Sequence, residues 1–190
     1  MKKPMFQPFP ELKTERLTLN KLAQSDADGI FALRSNSDVI KYTGIKQYTS
    51  INEAKEYIQR IERDLECGEC IMWSISITAT GEFIGSICLW NISEDENCAE
   101  IGYDLLPAFH GKGFMHEAVQ SVIRYGFDGM ELSKIVADPR VDNISSVKLL
   151  EKNGFHRDET HLEYNENGDK VEIALYSIER ANYARKPEQN

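Results

Sequence analysis

A strand-like segment, a glycine-containing turn and a helical segment follow one another in this chain, and this succession restricts its fold more than any other feature. Glu100-Ile-Gly-Tyr-Asp-Leu105 predicts a strand, His110-Gly-Lys-Gly-Phe-Met115 predicts a turn, and the apolar residues after Glu117 predict a helix. Closely spaced glycines let backbone N–H groups approach an anion, and the N-terminal end of the helix adds its positive dipole there. Residues 110–115 are therefore expected to bind a phosphate-bearing ligand, although the glycines alone also fit an ordinary surface turn.

A second motif follows further along the chain. Asn143-Ile-Ser-Ser146 precedes Val147–Lys152, which predicts a short helix ended by Asn153-Gly154. In this order the two motifs resemble those of the GNAT superfamily of N-acetyltransferases, and most closely the RimJ/RimL type, which acetylates the N-termini of ribosomal proteins. The resemblance extends from about Thr14 to Ser177. It implies an acyltransferase that uses acetyl-coenzyme A as its cosubstrate.

Length and hydrophobic content set the domain organisation. At 190 residues and 41% hydrophobic, the chain can bury one core and does not require a second. A single N-acetyltransferase domain is expected over residues 1–190, with its core at about 14–178 and a polar, frayed tail at 180–190. No apolar run approaches the roughly 20 residues that cross a bilayer, and Met1-Lys-Lys-Pro4 lacks the apolar part of a secretory signal. A cytoplasmic protein without a membrane partner is expected.

The formal net charge of −9 and the pI of about 5.0 restrict the partners. Phosphate backbones and anionic lipids repel such a chain, so nucleic acid and membranes are not expected partners. A cationic acceptor, such as an amine, a polyamine or a basic protein tail, suits this charge better, although an acidic surface also serves solubility. No motif determines the oligomeric state, and a homodimer remains open.

No metal site is expected. Cys67 and Cys70 form one pair without the second pair that a tetrahedral zinc site needs. The cysteines are therefore expected to be reduced and mostly structural, with a redox role for this pair as the alternative. The chain also contains neither a Walker loop nor a nucleophile elbow. The four histidines, which show no ligand grouping, are His110, His116, His156 and His161.

Periodicity predicts seven strands with intervening helices. Alternating apolar residues between Arg16 and Leu22 predict the first strand, and Ser50-Ile-Asn-Glu53 is a capping box that starts a helix. An earlier helix is expected from Ser25 through Leu33, and residues 38–49 are predicted to be a loop that forms a wall of the acceptor site. The other strands are expected at 73–77, 83–90, 99–105, 134–137, 155–162 and 171–178. The buried stripe of the helix after Ser50 is expected to comprise Ala54, Tyr57, Ile58, Ile61 and Leu65.

The predicted order of elements gives the fold class. A strand, a crossover helix and a second strand, ending at residues 134–137, imply a local parallel pair, whereas the hairpins imply antiparallel ones. This is an α+β fold. The resemblance likewise implies a mostly antiparallel, twisted sheet of about seven strands, with helices on both faces and a splay between the fourth and fifth strands.

The resemblance also implies where the cosubstrate binds. In this family acetyl-coenzyme A lies in the notch between the splayed strands, with its pyrophosphate on the turn and its pantetheine arm beside the fourth strand. The matching turn residues are His110, Gly111, Lys112, Gly113, Phe114 and Met115. Those expected beside the arm are Asn143, Ser146 and the backbone of Tyr103, Asp104 and Leu105. Met115 departs from the family pattern, which usually has glycine or alanine at that position.

Acetyl transfer to an amine requires two proton-handling groups. Glu100 begins the strand beside the expected acetyl position, so it is the candidate general base, directly or through a water; a solvated glutamate at the strand edge is the alternative. The tyrosine acid of the family is absent because Leu150 stands in its place. In the RimJ/RimL type a serine takes this role, which implies Ser146 here. Ser146 and Asn143 also fit the ordinary role of helix-capping residues.

The ordinary pKa values of amines rank the candidate acceptors by the cost of deprotonating them. Deprotonating an α-amine near pH 7 costs roughly 1–1.5 kcal/mol and a lysine-type amine roughly 4–5 kcal/mol. The leading expectation is therefore an acetyl-coenzyme A-dependent N-acetyltransferase that acts on the N-terminal α-amine of a protein, a ribosomal protein by the resemblance. A small-molecule amine acetyltransferase, acting on a polyamine or an aminoglycoside, stays open because burial can lower an amine pKa. A non-catalytic coenzyme A-binding module and a structural scaffold are the non-enzymatic alternatives.

Overall fold

The computed structural model describes residues 6–93, 95–164 and 168–183, in which eight strands form one sheet. The strands are β1 Leu12–Lys13, β2 Leu17–Lys21, β3 Cys70–Ile77, β4 Phe83–Ser93, β5 Cys98–Leu105, β6 Lys134–Ala137, β7 His156–Tyr164 and β8 Lys170–Glu179. The helices are α1 Ala27–Arg34, α2 Ser37–Ile40, α3 Ile51–Glu66, α4 Phe114–Arg124, α5 Ile144–Asn153 and α6 Arg180–Tyr183. The strand order is β1-β2-β3-β4-β5-β6-β8-β7, and among these described strands only β5 and β6 pair in parallel. The predicted α+β fold is confirmed.

The helix α3 begins at the capping box that the sequence predicts. Ser50 Oγ accepts a hydrogen bond from the Asn52 N–H at 3.2 Å, and Glu53 Oε2 accepts one from the Ser50 N–H at 2.9 Å. These contacts form the capping box and satisfy N–H groups that the helix leaves open. One face of the helix is buried apart from Leu65, which is partly covered. The buried side chains are Ala54, Tyr57, Ile58 and Ile61.

The two faces of the sheet carry separate hydrophobic clusters. On one face α1 and α3 pack their buried side chains, such as Ile30 and Ile58, near Met72 of β3. On the other face Val119 of α4 belongs to the cluster that contains Trp73. Fully burying an aliphatic side chain of this size contributes about 1.5–3 kcal/mol, so each face stabilises its helices against the sheet. Helices therefore cover both faces, as expected.

The parallel pairing between β5 and β6 is short. It consists of Cys98 with Lys134, Ala99 with Ile135 and Glu100 with Val136. Beyond Glu100 the strand β5 continues to Leu105 while paired only with β4, whereas β6 ends at Ala137. The predicted splay is confirmed, and it begins directly after Glu100. We call the gap that opens between residues 101–105 and the end of β6 the notch.

The structure differs from the sequence predictions at the start of the chain. Leu12–Lys13 pairs with β2 as an eighth strand, and two residues are too few to show alternation in a sequence. The helix predicted to begin at Ser25 begins instead as a 3₁₀ turn and becomes α-helical at Ala27. Asp26 accounts for this shift, because its Oδ2 accepts a hydrogen bond from the Ala23 N–H at 2.9 Å.

Two segments predicted to be irregular contain helical turns. Within the predicted loop 38–49, the turn α2 forms because Asn36 Oδ1 accepts a hydrogen bond from the Asp38 N–H at 2.9 Å. The tail predicted to fray begins with the helical turn α6. Residues 184–190 of that tail, residues 165–167 of the predicted β7–β8 turn and the N-terminal Met1–Pro4 lie outside the described residues.

Candidate active site

The turn between β5 and α4 holds its two glycines in the left-handed region of backbone space. Gly111 has φ +72° and Gly113, the N-cap residue of α4, has φ +80°. Residues with a side chain rarely adopt such values, which explains why glycine occupies both positions. A Cβ added to Gly111 would have nothing within 4 Å, so open space borders the turn. The turn therefore leaves room for a ligand against its backbone.

The helix after the turn begins without a side-chain cap. Gly113 has no side chain to accept a hydrogen bond, and none caps α4. The first N–H groups of an α-helix have no partner within the helix, and the positive end of its dipole lies beside them. The predicted residues 110–115 are thus brought together into a short segment of the kind that a pyrophosphate requires. Met115 does not obstruct it, because its side chain is buried in the core.

Arg16 and Glu117 connect the turn to the segment before β2. Glu117 Oε1 accepts a hydrogen bond from the Arg16 N–H at 2.9 Å and another from Thr14 Oγ1, while Arg16 Nε lies 2.7 Å from Glu117 Oε2. Arg16 Nη1 donates in turn to the Lys112 carbonyl at 3.0 Å. The segment before β2 is thereby joined both to α4 and to the turn. The glycine motif of the turn does not by itself identify Arg16 or Glu117 as residues that support it.

Aromatic rings and a histidine make further contacts in the turn. The Arg16 guanidinium lies 4.5 Å from the centre of the Phe114 ring, and the Lys112 ammonium lies 5.3 Å from that of Phe109. His110 Nε2 lies 2.9 Å from the Leu105 carbonyl oxygen, which ties the turn to the end of β5. His110 therefore has a structural contact, and each of the two cations lies against an aromatic ring of the turn region.

Backbone alternation decides which groups of β5 face the notch. The Leu106 N–H donates to the Ile84 carbonyl at 2.9 Å, so the backbone at this position is directed toward β4. Because alternate pairs of an antiparallel ladder are hydrogen-bonded, Asp104 is also directed toward β4, whereas Ile101 and Tyr103 are directed toward the notch. Of the backbone segments predicted to border the pantetheine arm, that of Tyr103 faces the notch, and that of Asp104 faces the neighbouring strand.

Glu100 lies at the inner end of the notch, in the last residue pair that joins β5 to β6. Its burial raises its pKa to about 7; the charge of Asp138 adds to this rise, and a hydrogen bond with Asn91 opposes it. Its side chain is half-buried and lines the cavity described below. A carboxyl group with such a pKa can accept a proton near neutral pH, as a general base must.

Ser146 and Tyr103 meet across the notch. Ser146 lies in the first turn of α5, and its Oγ is 2.8 Å from the Tyr103 phenol oxygen. Burial raises the pKa of Tyr103 to about 12, and its hydrogen bond with Ser146 acts in the opposite direction. Asn143 caps α5, since its Oδ1 accepts a hydrogen bond from the Ser146 N–H at 3.2 Å. The Ser146 hydroxyl contacts Tyr103 rather than a backbone amide.

A cavity of about 800 Å³ connects the notch to the face covered by α1 and α3. Such a volume is in the usual range for sites that hold small molecules. On the notch side it is lined by Glu100, Tyr103, Asp138 and Ser146. The predicted wall 38–49 contributes Tyr42, Thr43 and Ile45. The structure therefore brings both predicted catalytic residues and part of the predicted wall to one cavity.

A buried ion pair forms part of the cavity lining. Arg34 Nη2 of α1 lies 3.1 Å from Asp104 Oδ2 and 3.3 Å from the Tyr57 hydroxyl oxygen. The Arg34 and Asp104 side chains are only 7% and 12% exposed, so each charge depends on the other for compensation. Asp104 was expected to contribute its backbone, and its side chain instead fixes α1 against β5.

Carboxyl groups predominate in the lining of this cavity. Counting one charge for each residue, five acidic side chains face two arginines, of which Arg34 is paired with Asp104. The acidic residues are Asp64, Glu69, Glu100, Asp104 and Asp138, and the arginines are Arg34 and Arg60. An excess of negative charge attracts a cationic ligand such as an ammonium group. Asp138 and Arg34 could not be identified from the sequence, because only the fold brings them beside Glu100 and Asp104.

Other kinds of site are not evident in the described part of the chain. Residues 6–93, 95–164 and 168–183 contain no group of three or more histidine, cysteine or acidic side chains that could hold a metal ion. None of the helices described is both long and apolar enough to span a bilayer. All four cysteines are free thiols, and Cys70 hydrogen-bonds Cys88 rather than pairing with Cys67.

Comparison with known sequences agrees with this geometry. The family of acetyltransferase (GNAT) domains matches residues 16–156. Over 176 residues the chain is 38% identical to the uncharacterized N-acetyltransferase p20 of Bacillus licheniformis, covering 91% of this chain and 98% of p20. Over 171 residues it is 36% identical to the uncharacterized N-acetyltransferase YoaA of Bacillus subtilis, covering 90% of this chain and 97% of YoaA.

Solved structures share the fold. The ribosomal α-N-protein acetyltransferase RimL, solved with coenzyme A, superposes with a TM-score of 0.82 at 22% identity, covering 91% of this chain and 99% of RimL. The spermidine N-acetyltransferase of Vibrio cholerae, solved with coenzyme A and spermine, superposes with a TM-score of 0.80 at 24% identity, covering 90% of this chain and all of the other. At these identities the likeness shows the fold alone.

Proposed function

Because the chain belongs to the GNAT family and is an acetyl-coenzyme A-dependent N-acetyltransferase, we propose that it acetylates the α-amine of a protein N-terminus by direct transfer. A ribosomal protein is the first acceptor to test. One observation carries the proposal: Glu100 lies at the inner end of the notch, lines the cavity and has a pKa of about 7. Such a group suits an α-amine better than other biological amines.

The turn and the notch hold the cosubstrate, which supplies an acetyl group activated as a thioester. The main-chain N–H groups of residues 111–115 bind its pyrophosphate, and the positive end of α4 strengthens this contact. The backbone groups of Tyr103 that face the notch pair with the amides of its pantetheine arm. The open space beside Gly111 and the lack of a side-chain cap on α4 support this fit.

Glu100 accepts a proton from the acceptor ammonium, directly or through a water, so that a neutral amine attacks. An α-amine has an ordinary pKa of about 8, about one unit above that of Glu100, so this transfer costs about 1.4 kcal/mol. A lysine-type amine with a pKa of about 10.4 costs about 4.6 kcal/mol. The difference of about 3 kcal/mol favours the α-amine by more than a hundredfold in the equilibrium of the proton transfer.

Ser146 acts on the other side of the reacting bond. It lies in the first turn of α5, lines the same cavity as Glu100 and presents a hydroxyl group there. Hydrogen-bond donation from this hydroxyl stabilises the negative charge that develops on the leaving sulfur. Base and donor thus reside on different elements, β5 and α5, and the fold brings them to one cavity.

A polyamine is the second candidate acceptor. The observation that favours it is the excess of carboxyl groups in the cavity, because Asp64 and Asp138 line it in addition to Glu100. A second ammonium group in the acceptor would gain from these charges, whereas most N-terminal peptides would use only the first. The burial of amines among these groups would also change their pKa values.

Thiol release from acetyl-coenzyme A separates these acceptors. We would compare a lysine-free peptide with a free N-terminus, the same peptide with a blocked N-terminus and one internal lysine, and spermidine. The proposal predicts at least tenfold higher kcat/KM for the free N-terminus. Preference for spermidine would replace the leading acceptor by the second candidate. Tight binding of coenzyme A without turnover of any amine would instead indicate a non-catalytic binding module.

A further inference from the structure

The Tyr103 side chain makes a contact for which the sequence motifs assign no role. The resemblance implies a function only for the backbone of Tyr103, yet its phenol oxygen lies 2.8 Å from Ser146 Oγ, 43 residues further along the chain. Among the described residues, Ser146 is the hydrogen-bond partner of this phenol. Both groups line the cavity that also contains Glu100.

We propose that Tyr103 is a positioning residue whose phenol donates to Ser146 Oγ and thereby directs the Ser146 proton toward the leaving sulfur. This inference rests on the proposed function, in which Ser146 is the donor to that sulfur. It adds a residue that acts through Ser146 and does not contact the reacting atoms itself.

The direction of this hydrogen bond follows from the chemistry of the two hydroxyl groups. A phenol is a stronger acid than an aliphatic alcohol, so it is the better donor of the pair. A serine hydroxyl has two acceptor lone pairs and a single proton, and once a lone pair of Ser146 is occupied by Tyr103 its own proton is free for another acceptor. Burial keeps the Tyr103 phenol protonated at every working pH, because it raises its pKa to about 12. Tyr103 is therefore a constant donor.

The transfer step balances without ionising Tyr103. The amine nitrogen forms a bond to the acetyl carbon, and the C–S bond breaks with its electron pair going to sulfur. The nitrogen loses two protons, one from the ammonium before the attack and one as the amide forms, and each goes to Glu100 and from there to solvent. The sulfur departs as a thiolate that accepts the hydrogen bond of Ser146, so neither hydroxyl group has to lose its proton.

Four variants test the coupling: Tyr103→Phe, Ser146→Ala, the double variant and the control Ser145→Ala. Ser145 is an exposed serine in the same helical turn, so the control changes the helix start but not the contact. We expect Tyr103→Phe to lower kcat about tenfold, as for one lost hydrogen bond, with the KM for acetyl-coenzyme A changed less than about twofold. The double variant should be no slower than Ser146→Ala, and Ser145→Ala should match the unaltered protein.

An equilibrium measurement provides a readout independent of turnover. Thiolates absorb in the ultraviolet, so the thiol pKa of bound coenzyme A can be titrated in each variant. We expect this pKa to rise by about half a unit to one unit in both Tyr103→Phe and Ser146→Ala, without a further rise in the double variant. A structural role for Tyr103 would weaken coenzyme A binding but leave the pKa of the bound thiol unchanged.

The outcomes separate this inference from the proposed function. Additive losses in the double variant, or an unchanged thiol pKa in Tyr103→Phe, would overturn the positioning role while leaving the acetyltransferase activity intact. If no amine is acetylated but coenzyme A binds, the titration still decides whether Tyr103 acts through Ser146. If Tyr103→Phe does not fold, Tyr103→Leu removes the same phenol and takes its place in both measurements. A protein that does not bind coenzyme A would overturn both proposals.

Discussion

Arg16 Nε lies 2.7 Å from Glu117 Oε2, and this contact fastens the segment before β2 to the helix that carries the cosubstrate turn. Arg16 also donates to the Lys112 carbonyl and lies over the Phe114 ring, so one side chain contacts both the turn and the helix. The left-handed conformation of Gly113 is thus held by a residue far away in the sequence. Turn geometry and domain stability are linked through this pair.

Glu117→Gln should lower the free energy of unfolding by about 1–3 kcal/mol, because it weakens charge-assisted hydrogen bonds from Thr14 and Arg16. Urea denaturation measures this change, with Glu56→Gln on the exposed face of α3 as the control. Burial opposes these bonds but does not outweigh them, so the pKa of Glu117 is lowered on folding. The ionised Glu117 carboxylate therefore stabilises the fold above the pKa that it has in the unfolded chain. This stabilisation is lost as the pH falls through the lower pKa that it has in the folded protein. Equal stability of both variants would contradict the role of this pair.

Gly111→Ala should weaken acetyl-coenzyme A binding at least tenfold, whereas Gly81→Ala should leave it unchanged. The two glycines have φ of +72° and +71°, and an added Cβ meets nothing within 4 Å at either position. Both substitutions therefore carry the same backbone cost of about 1–2 kcal/mol, which urea denaturation can verify. Only the methyl group that Gly111→Ala adds enters the space assigned to the pyrophosphate. Equal affinities by calorimetry would remove the turn from the binding site.

The rate should depend on pH through Glu100. Because the base must be ionised, kcat/KM for a peptide acceptor should rise tenfold per unit below pH about 7 and lose this dependence above it, apart from the titration of the amine. Glu100→Gln should lower kcat by about a hundredfold or more and abolish the limb near pH 7. Retention of that limb in the variant would assign it to another group.

Asp138 offers a control for the pKa of Glu100. Its negative charge raises the pKa of Glu100, second to the effect of burial. Asp138→Asn should therefore move the acid limb of the rate profile to lower pH without abolishing activity. A limb that stays in place would indicate that burial alone sets this pKa.

Asp104→Asn should destabilise the fold by about 3–5 kcal/mol, because it leaves the buried Arg34 guanidinium without a counter-charge. The exposed pair Arg140–Asp142, with an Nη2–Oδ2 distance of 2.7 Å, supplies the control. Asp142→Asn should cost less than about 1 kcal/mol, since solvent screens an exposed pair. Urea denaturation of both variants measures the contrast, and equal losses would show that burial does not govern the strength of the pair.

Features that depend on local sequence could be predicted. Glycine in the left-handed region, the capping box at Ser50 and the alternation in β2 each involve neighbouring residues, and each leaves a pattern in the sequence. The parallel pairing of β5 with β6 could also be predicted, since a strand, a helix and a strand permit few connections. Membership in the GNAT family is confirmed by the match over residues 16–156, whereas the RimJ/RimL type of acceptor remains a proposal.

Contacts between distant segments could not be predicted. Arg34 with Asp104 and Tyr103 with Ser146 depend on how α1 and α5 approach β5, and no periodicity encodes that approach. Asp138 was overlooked for the same reason, because its proximity to Glu100 requires that β6 end just where the notch opens. Two-residue strands and single helical turns, such as α2, were missed because so short a segment shows no period.

The short pairing of β5 with β6 also limits how this chain can vary in length. Side chains alternate along a strand, so one residue added within Lys134–Val136 would slide the rest of β6 by about 3.3 Å and turn its side chains over. Val136 would then no longer oppose Glu100. In a library of single-residue insertions, active members should therefore be found in the surface hairpin 78–82 and should be missing from β6.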